Sequence, residues 1–138
     1  MLTGICKFEY CLVIDEKFVV HLVDPDQAIA DGLETLLRTY DFEVQSYPDA
    51  ESFLQSWQPR QSCHCCLLAE ADLPGLSGPA LLQELRRRQV DIPVLLLVST
   101  STPDMIDAAR RASHVGIVQK PCVNDALIDQ VLRLSQQA

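Results

Sequence analysis

Apolar positions along this chain fall into short runs separated by longer stripes at helical spacing. Phe18-Val19-Val20-His21-Leu22-Val23 is an apolar, β-branched run ended by Asp24-Pro25-Asp26, the pattern of a strand covered on both faces. Ile29, Leu33, Leu36, Leu37 and Tyr40 then recur with polar residues between them, which predicts a helix. Phe42-Glu43-Val44-Gln45-Ser46-Tyr47 alternates with period two, as a half-buried strand near a sheet edge does. Asp49 can cap a helix carrying Ala50, Phe53, Leu54 and Trp57, and Pro59 stops it.

The second half repeats the alternation. A run from Cys63 to Ala69 is followed by the breaker cluster Leu73-Pro74-Gly75-Leu76-Ser77-Gly78. Pro79 suits the first turn of a helix, where its missing N–H costs little, with Leu81, Leu82 and Leu85 on the apolar face. Arg86, Arg87 and Arg88 sit in its last turn, where cations suit the helix dipole. Pro93-Val94-Leu95-Leu96-Leu97-Val98 predicts a fourth strand, and Met105, Ile106, Ala109 and Ala112 a fourth helix. Val115-Gly116-Ile117-Val118 is a fifth strand, and Leu127, Ile128, Val131 and Leu134 mark a fifth helix. Five β–α units in strict alternation demand a parallel sheet with helices on both faces.

Composition narrows the class. With 138 residues, 48% of them hydrophobic and 22% charged, the chain suits one folded domain that needs neither disulfides nor a metal to hold it. A net charge of −8 argues against binding duplex DNA, which calls for a basic face. No apolar run approaches the roughly 18 residues of a membrane helix, and residues 1–17 lack the form of a secretory signal. The six cysteines are therefore expected reduced, in a cytoplasmic protein.

In a doubly wound sheet, a site forms beyond the carboxyl ends of the strands. Acids follow the first and third runs (Asp24, Asp26, Glu70, Asp72), hydroxyls follow the fourth (Ser99, Thr100) and Lys120 follows the fifth. Two readings are open on spacing alone. Carboxylates grouped with a lysine can hold a divalent cation and a phosphoryl group. Equally, acids at strand ends cap helices and lysines face water.

Three segments carry a resemblance. Val20-His21-Leu22-Val23-Asp24-Pro25-Asp26, the stretch from Leu67 to Gly78, and Gln119-Lys120-Pro121 resemble the landmarks of bacterial response-regulator receiver domains, with those of LuxR-type regulators the closest variety. The resemblance runs from about Phe18 to the C-terminus. It implies the CheY-like, flavodoxin-like fold, with five strands in the order 2-1-3-4-5 and five helices, over residues 18–138. It leaves residues 1–17 as an N-terminal extension. It also implies two adjacent acids and a strand-end aspartate that bind magnesium, phosphorylation of that aspartate by a histidine kinase, and a hydroxyl and a lysine that receive the phosphoryl oxygens.

Carried over residue by residue, that pocket is degenerate. Asp24 matches the first acid, but Pro25 stands at the second and Glu70 at the phosphoacceptor. Val98 stands at the hydroxyl position with Ser99 one residue late, while Lys120 and Pro121 are intact. Proline offers no side-chain oxygen, and Asp26 is as well suited to an N-cap as to a metal. Glutamate is longer than aspartate by about 1.5 Å, and misplacement of about 1 Å costs phosphoryl transfer on the order of 100-fold. The expectation is no enzymatic activity, no cofactor and a magnesium site in doubt, with Glu70 paired to Lys120 in imitation of a phosphoryl group. Asp72 is a weaker substitute acceptor.

Other features carry less. Cys63-His64-Cys65-Cys66 suggests a metal, but strand residues alternate between faces, so buried structural thiols are the commoner explanation. Cys122 is the better thiolate candidate, His21 is expected to be packed, and His114 and the arginine run are expected to be solvated. Tyr10-Cys11-Leu12-Val13-Ile14-Asp15-Glu16 could form an edge strand, a dimer contact or a tail. Only Gln136, Gln137 and Ala138 follow the last helix, so a stand-alone domain acting through another polypeptide is expected. Its partner would be a histidine kinase or another regulator, with pairing through the fourth helix, fifth strand and fifth helix (residues 102–135). The competing readings are a receiver phosphorylated on Glu70 or Asp72, and a redox or small-ligand module on the same fold.

Overall fold

The computed structural model describes residues 17–57, 64–72, 75–98, 115–119 and 126–136, and the single positions Pro103, Asp107 and Arg111. The β-branched run forms β1 (Val19–Val23), and Asp26 caps α1 (Gln27–Thr39), its carboxylate accepting from the backbone N–H groups of Ala28 and Ile29. The alternating segment is β2 (Glu43–Tyr47), and Asp49 caps α2 (Ala50–Ser56) through the Ser52 N–H at 2.7 Å. After β3 (Cys65–Glu70), Ser77 caps α3 (Gly78–Arg87), with proline in its first turn. The remaining elements are β4 (Val94–Val98), β5 (Val115–Gln119) and α4 (Ala126–Gln136).

All five strands are parallel, in the order β2-β1-β3-β4-β5. The sequence reading of the fold therefore holds, with strand starts at Val19, Glu43, Cys65 and Val94 rather than one or two residues earlier. Phe18 and Phe42 lie just before their strands yet are buried, which is why periodicity merged them with the runs. Four helices stand among the described residues against five expected. The fourth expected helix falls mostly outside them, although Pro103, Asp107 and Arg111 are helical and exposed.

The sheet separates two apolar layers. One face of β1, β3 and β4 packs Val20, Leu22, Leu68 and Leu97 against Leu33 and Leu37 of α1 and Leu127 and Val131 of α4. The other packs Val23, Leu67, Ala69, Leu96 and Val98 against Phe53 of α2 and Leu81 and Leu85 of α3. One expectation needs correcting: Ile29 and Tyr40 are 41% and 43% exposed. The buried line of α1 is Ala30, Leu33 and Leu37, which turns Ile29 to the edge of the stripe, while Tyr40 already lies at the C-cap.

The turn after β3 is tightly built. Gly75 has φ +80, a left-handed conformation that costs glycine little. Gly78 presses its backbone on the end of β3: a Cβ there would lie 2.9 Å from Ala71 Cα, and the Gly78 N–H donates to the Ala71 carbonyl at 2.9 Å. The strand's end and the start of α3 thus meet at a fixed separation.

Candidate functional site

The acids gather where β1 and β3 end. These strands pair in register with Val23 opposite Ala69, so the next residues, Asp24 and Glu70, are lateral neighbours. Both are buried, at 4% and 5% exposure. Asp24 extends the β1–β2 ladder by donating its N–H to the Tyr47 carbonyl at 3.1 Å. Its Oδ1 accepts from the Asp26 N–H at 2.9 Å, while its Oδ2 is buried with no hydrogen-bond partner. A desolvated carboxylate oxygen in that state is costly, so it is a feature of the site rather than of ordinary packing.

Asp26 serves the helix. Its Oδ1 accepts from Ala28 at 3.0 Å and Ile29 at 3.2 Å, satisfying two amides that a helix start leaves open. Pro25 between the two acids is exposed and supplies no oxygen. Val98, at the end of β4, is wholly buried in the layer beneath α2 and α3 and offers no hydroxyl. Asp72 is exposed in the turn after β3. Ser99, Lys120 and Pro121 lie outside the described residues, as do Cys63, Cys122, His114 and residues 1–16.

The described residues do not fit a magnesium ion. Mg²⁺ asks for six oxygens in near-octahedral array. Here one carboxylate oxygen of Asp24 is committed to a backbone amide, one of Asp26 caps α1, and position 25 is a proline. Among the described residues, no three His, Cys, Asp or Glu side chains converge on a point that could hold a metal. Cys65 and Cys66 are buried on opposite faces of the sheet, as strand alternation requires, whereas His64 is exposed and meets the Phe18 ring edge-on. Burial pushes the Cys66 thiol far up, which removes thiolate chemistry there. A cavity of about 350 Å³ lies at the opposite end of the sheet, between Leu85, Arg86, Asp91, Val94 and Val115, away from the acids. At the end of α3, Arg87 and Arg88 pair with Glu84, so the arginine run is a solvated helix end as expected.

One group of residues escaped the sequence reading. His21, expected to be packed, is 1% exposed, and around it stand Tyr47 of β2, Phe53 of α2 and Trp57 just after α2, with ring centroids 5.9, 5.5 and 5.8 Å away. Only a histidine within an apolar run hinted at this. The pairing of three elements that assembles it is tertiary.

A five-stranded parallel sheet in this order, with acids buried where β1 and β3 end, is the doubly wound arrangement that receiver domains share with flavodoxin-like proteins. Residues 20–132 match the response regulator receiver domain family, and the chain belongs to that family. It is 29% identical over 121 residues to nodulation protein W and 28% identical over 122 residues to the transcriptional regulatory protein FixJ, both of Bradyrhizobium diazoefficiens. These alignments cover 88% and 86% of this chain but 52% and 58% of the relatives, so the chain spans a little over half their length. Among solved structures, it is similar to the response regulator StyR (TM-score 0.74, 29% identity, 88% of this chain and 60% of that one). It also has the fold of FixJ-N (TM-score 0.76, 24% identity, 89% and 97%).

Proposed function

We propose that this receiver domain acts as a pseudo-receiver: it transmits a signal by binding other proteins and does not depend on phosphorylation of its own acidic pocket. The observation that carries this reading is the composition of the strand-end pocket, where Asp24 and Glu70 are buried side by side with Pro25 and Val98 at the flanking positions. An acceptor must be placed for in-line attack beside a metal and cationic groups that take up charge on the transferred oxygens. A proline and a valine contribute nothing to either need.

Glu70 takes the acceptor's place and brings one charge, where a phosphoryl group brings about −1.5 to −2. In this reading Lys120 answers that charge, and the domain rests in one signalling conformation. Partners would be a histidine kinase or another regulator in the cytoplasm, and a second copy could pair through the face formed by residues 102–135. No cofactor and no catalytic turnover are involved.

Incubation with a small phosphodonor and magnesium, followed by intact-mass measurement, tests the proposal. The expected result is an unmodified mass; a stable phosphoryl adduct overturns it, and peptide mapping would then assign the adduct to Glu70 or to the exposed Asp72. The role of Glu70 is tested by exchange to Gln or Ala and measurement of partner binding. Weakened binding is expected, and unchanged affinity would remove Glu70 from the mechanism.

A further inference from the structure

We propose that His21, Tyr47, Phe53 and Trp57 form an acid-sensitive latch, which holds the C-terminal end of α2 on the sheet at neutral pH and releases it when His21 takes up a proton. The latch uses neither strand-end carboxylate and does not rest on the pseudo-receiver reading.

The hydrogen bonds fix the state of the ring. Tyr47 has one hydroxyl proton, and its oxygen lies 3.1 Å from Gln45 Oε1, an acceptor only. The hydroxyl therefore donates to Gln45 and accepts from His21 Nδ1, 3.1 Å away. In that tautomer, assigned from the network, Nε2 is the bare nitrogen, and it is buried without a partner. A second proton would have to sit on Nε2, creating a cation and an N–H donor with no acceptor in an aromatic enclosure.

The surroundings offer the cation little. From β2, Glu43 attracts it and Tyr47 is neutral; from β3, the thiol of Cys65 lies on the same layer. From α2, the rings facing His21 are those of Phe53 and Trp57. The two acids of that region point elsewhere, Asp49 to its cap and Glu51 towards Gly75. Asp24 lies three residues along the chain, beyond the end of β1. Desolvation outweighs Glu43, so the pKa of His21 is held below the ordinary histidine value.

Relief must come from whatever can move. β1 is paired on both sides, to β2 and to β3. By contrast α2 is only seven residues long, and Trp57 closes it with an extended backbone, φ −73 and ψ 130. Lifting that end admits water to Nε2 while the sheet stays intact. The latch therefore opens at α2, uncovering Phe53 and Trp57.

Trp57 is the sole tryptophan of the chain and reports on the latch directly. Its emission and the far-UV circular dichroism should be followed from about pH 8 to about pH 4.5. We expect a red shift of emission with retained secondary structure, and a midpoint below the ordinary histidine range. In His21→Phe the shift should be lost. The same shift in that variant, loss of secondary structure at the same midpoint in the parent, or no shift at all would overturn the proposal. Should His21→Phe fail to fold, an NMR titration of the imidazoles in the parent protein decides: the His21 resonance must move with the Trp57 midpoint, and a different midpoint refutes the latch.

Discussion

β1 delivers two buried polar groups with one unpartnered atom each, and they behave as opposites. Asp24, just past the strand's end, sits among backbone amides and beside another carboxylate. His21, three residues earlier, sits among rings. A carboxylate beside another acid is stabilised by positive charge nearby. An imidazole enclosed by rings resists becoming a cation at all. The same strand thus carries one site that seeks positive charge and one that excludes it, and the difference is set by what the neighbouring elements bring.

Substitutions can break that contrast, and the largest effect should come from the ring enclosure. Phe53 is fully buried, so Phe53→Ala should cost about 3–5 kcal/mol in urea denaturation. A cost near zero would mean that the enclosure does not hold α2. At the mouth, Asp24→Ala strips the Asp26 amide of its acceptor and should cost about 1–3 kcal/mol. The two costs should add in the double variant, since the Phe53 ring takes no part in the hydrogen bonds of the Asp24 carboxylate.

The pH dependence sharpens the comparison further. Because burial lowers the pKa of His21 in the folded state, the unfolded chain takes the proton first. The contribution of His21 is complete above the ordinary histidine value and declines as pH falls below it, by at most about 1.4 kcal/mol per pH unit. Urea midpoints at pH 7.5 and 5.5 should therefore differ in the parent protein by more than in His21→Phe, and equal differences would assign the dependence to the acids. A smaller loss, about 1 kcal/mol, is expected for Asp26→Ala through its cap. Smallest of all, Glu84→Ala should leave the midpoint essentially unmoved, because its partners Arg87 and Arg88 are solvent-exposed.

Much of this was legible in the chain because it is local. The caps Asp26 and Asp49, the proline in the first turn of α3 and the five strands each follow from a few consecutive residues. That Asp24 and Glu70 lie side by side was legible too, since residues at the ends of adjacent parallel strands come together, whereas Val98 lies in the apolar layer beneath α2 and α3. What escaped is whatever depends on partners distant in sequence. Periodicity could not show that Ile29 turns outward, nor that Tyr47 and Trp57 close over His21, because those facts are set by how β2 and α2 lean on β1. The pairing of Glu70 with Lys120 belongs to the proposed function, since Lys120 lies outside the described residues.

The contact at Gly78 has a further consequence. Its missing Cβ lets α3 abut the backbone of Ala71, one residue after Glu70, and an amide bridge ties the two ends of the turn together. A side chain added at Gly78 would have to part the start of α3 from the backbone that follows Glu70, without touching a single acid.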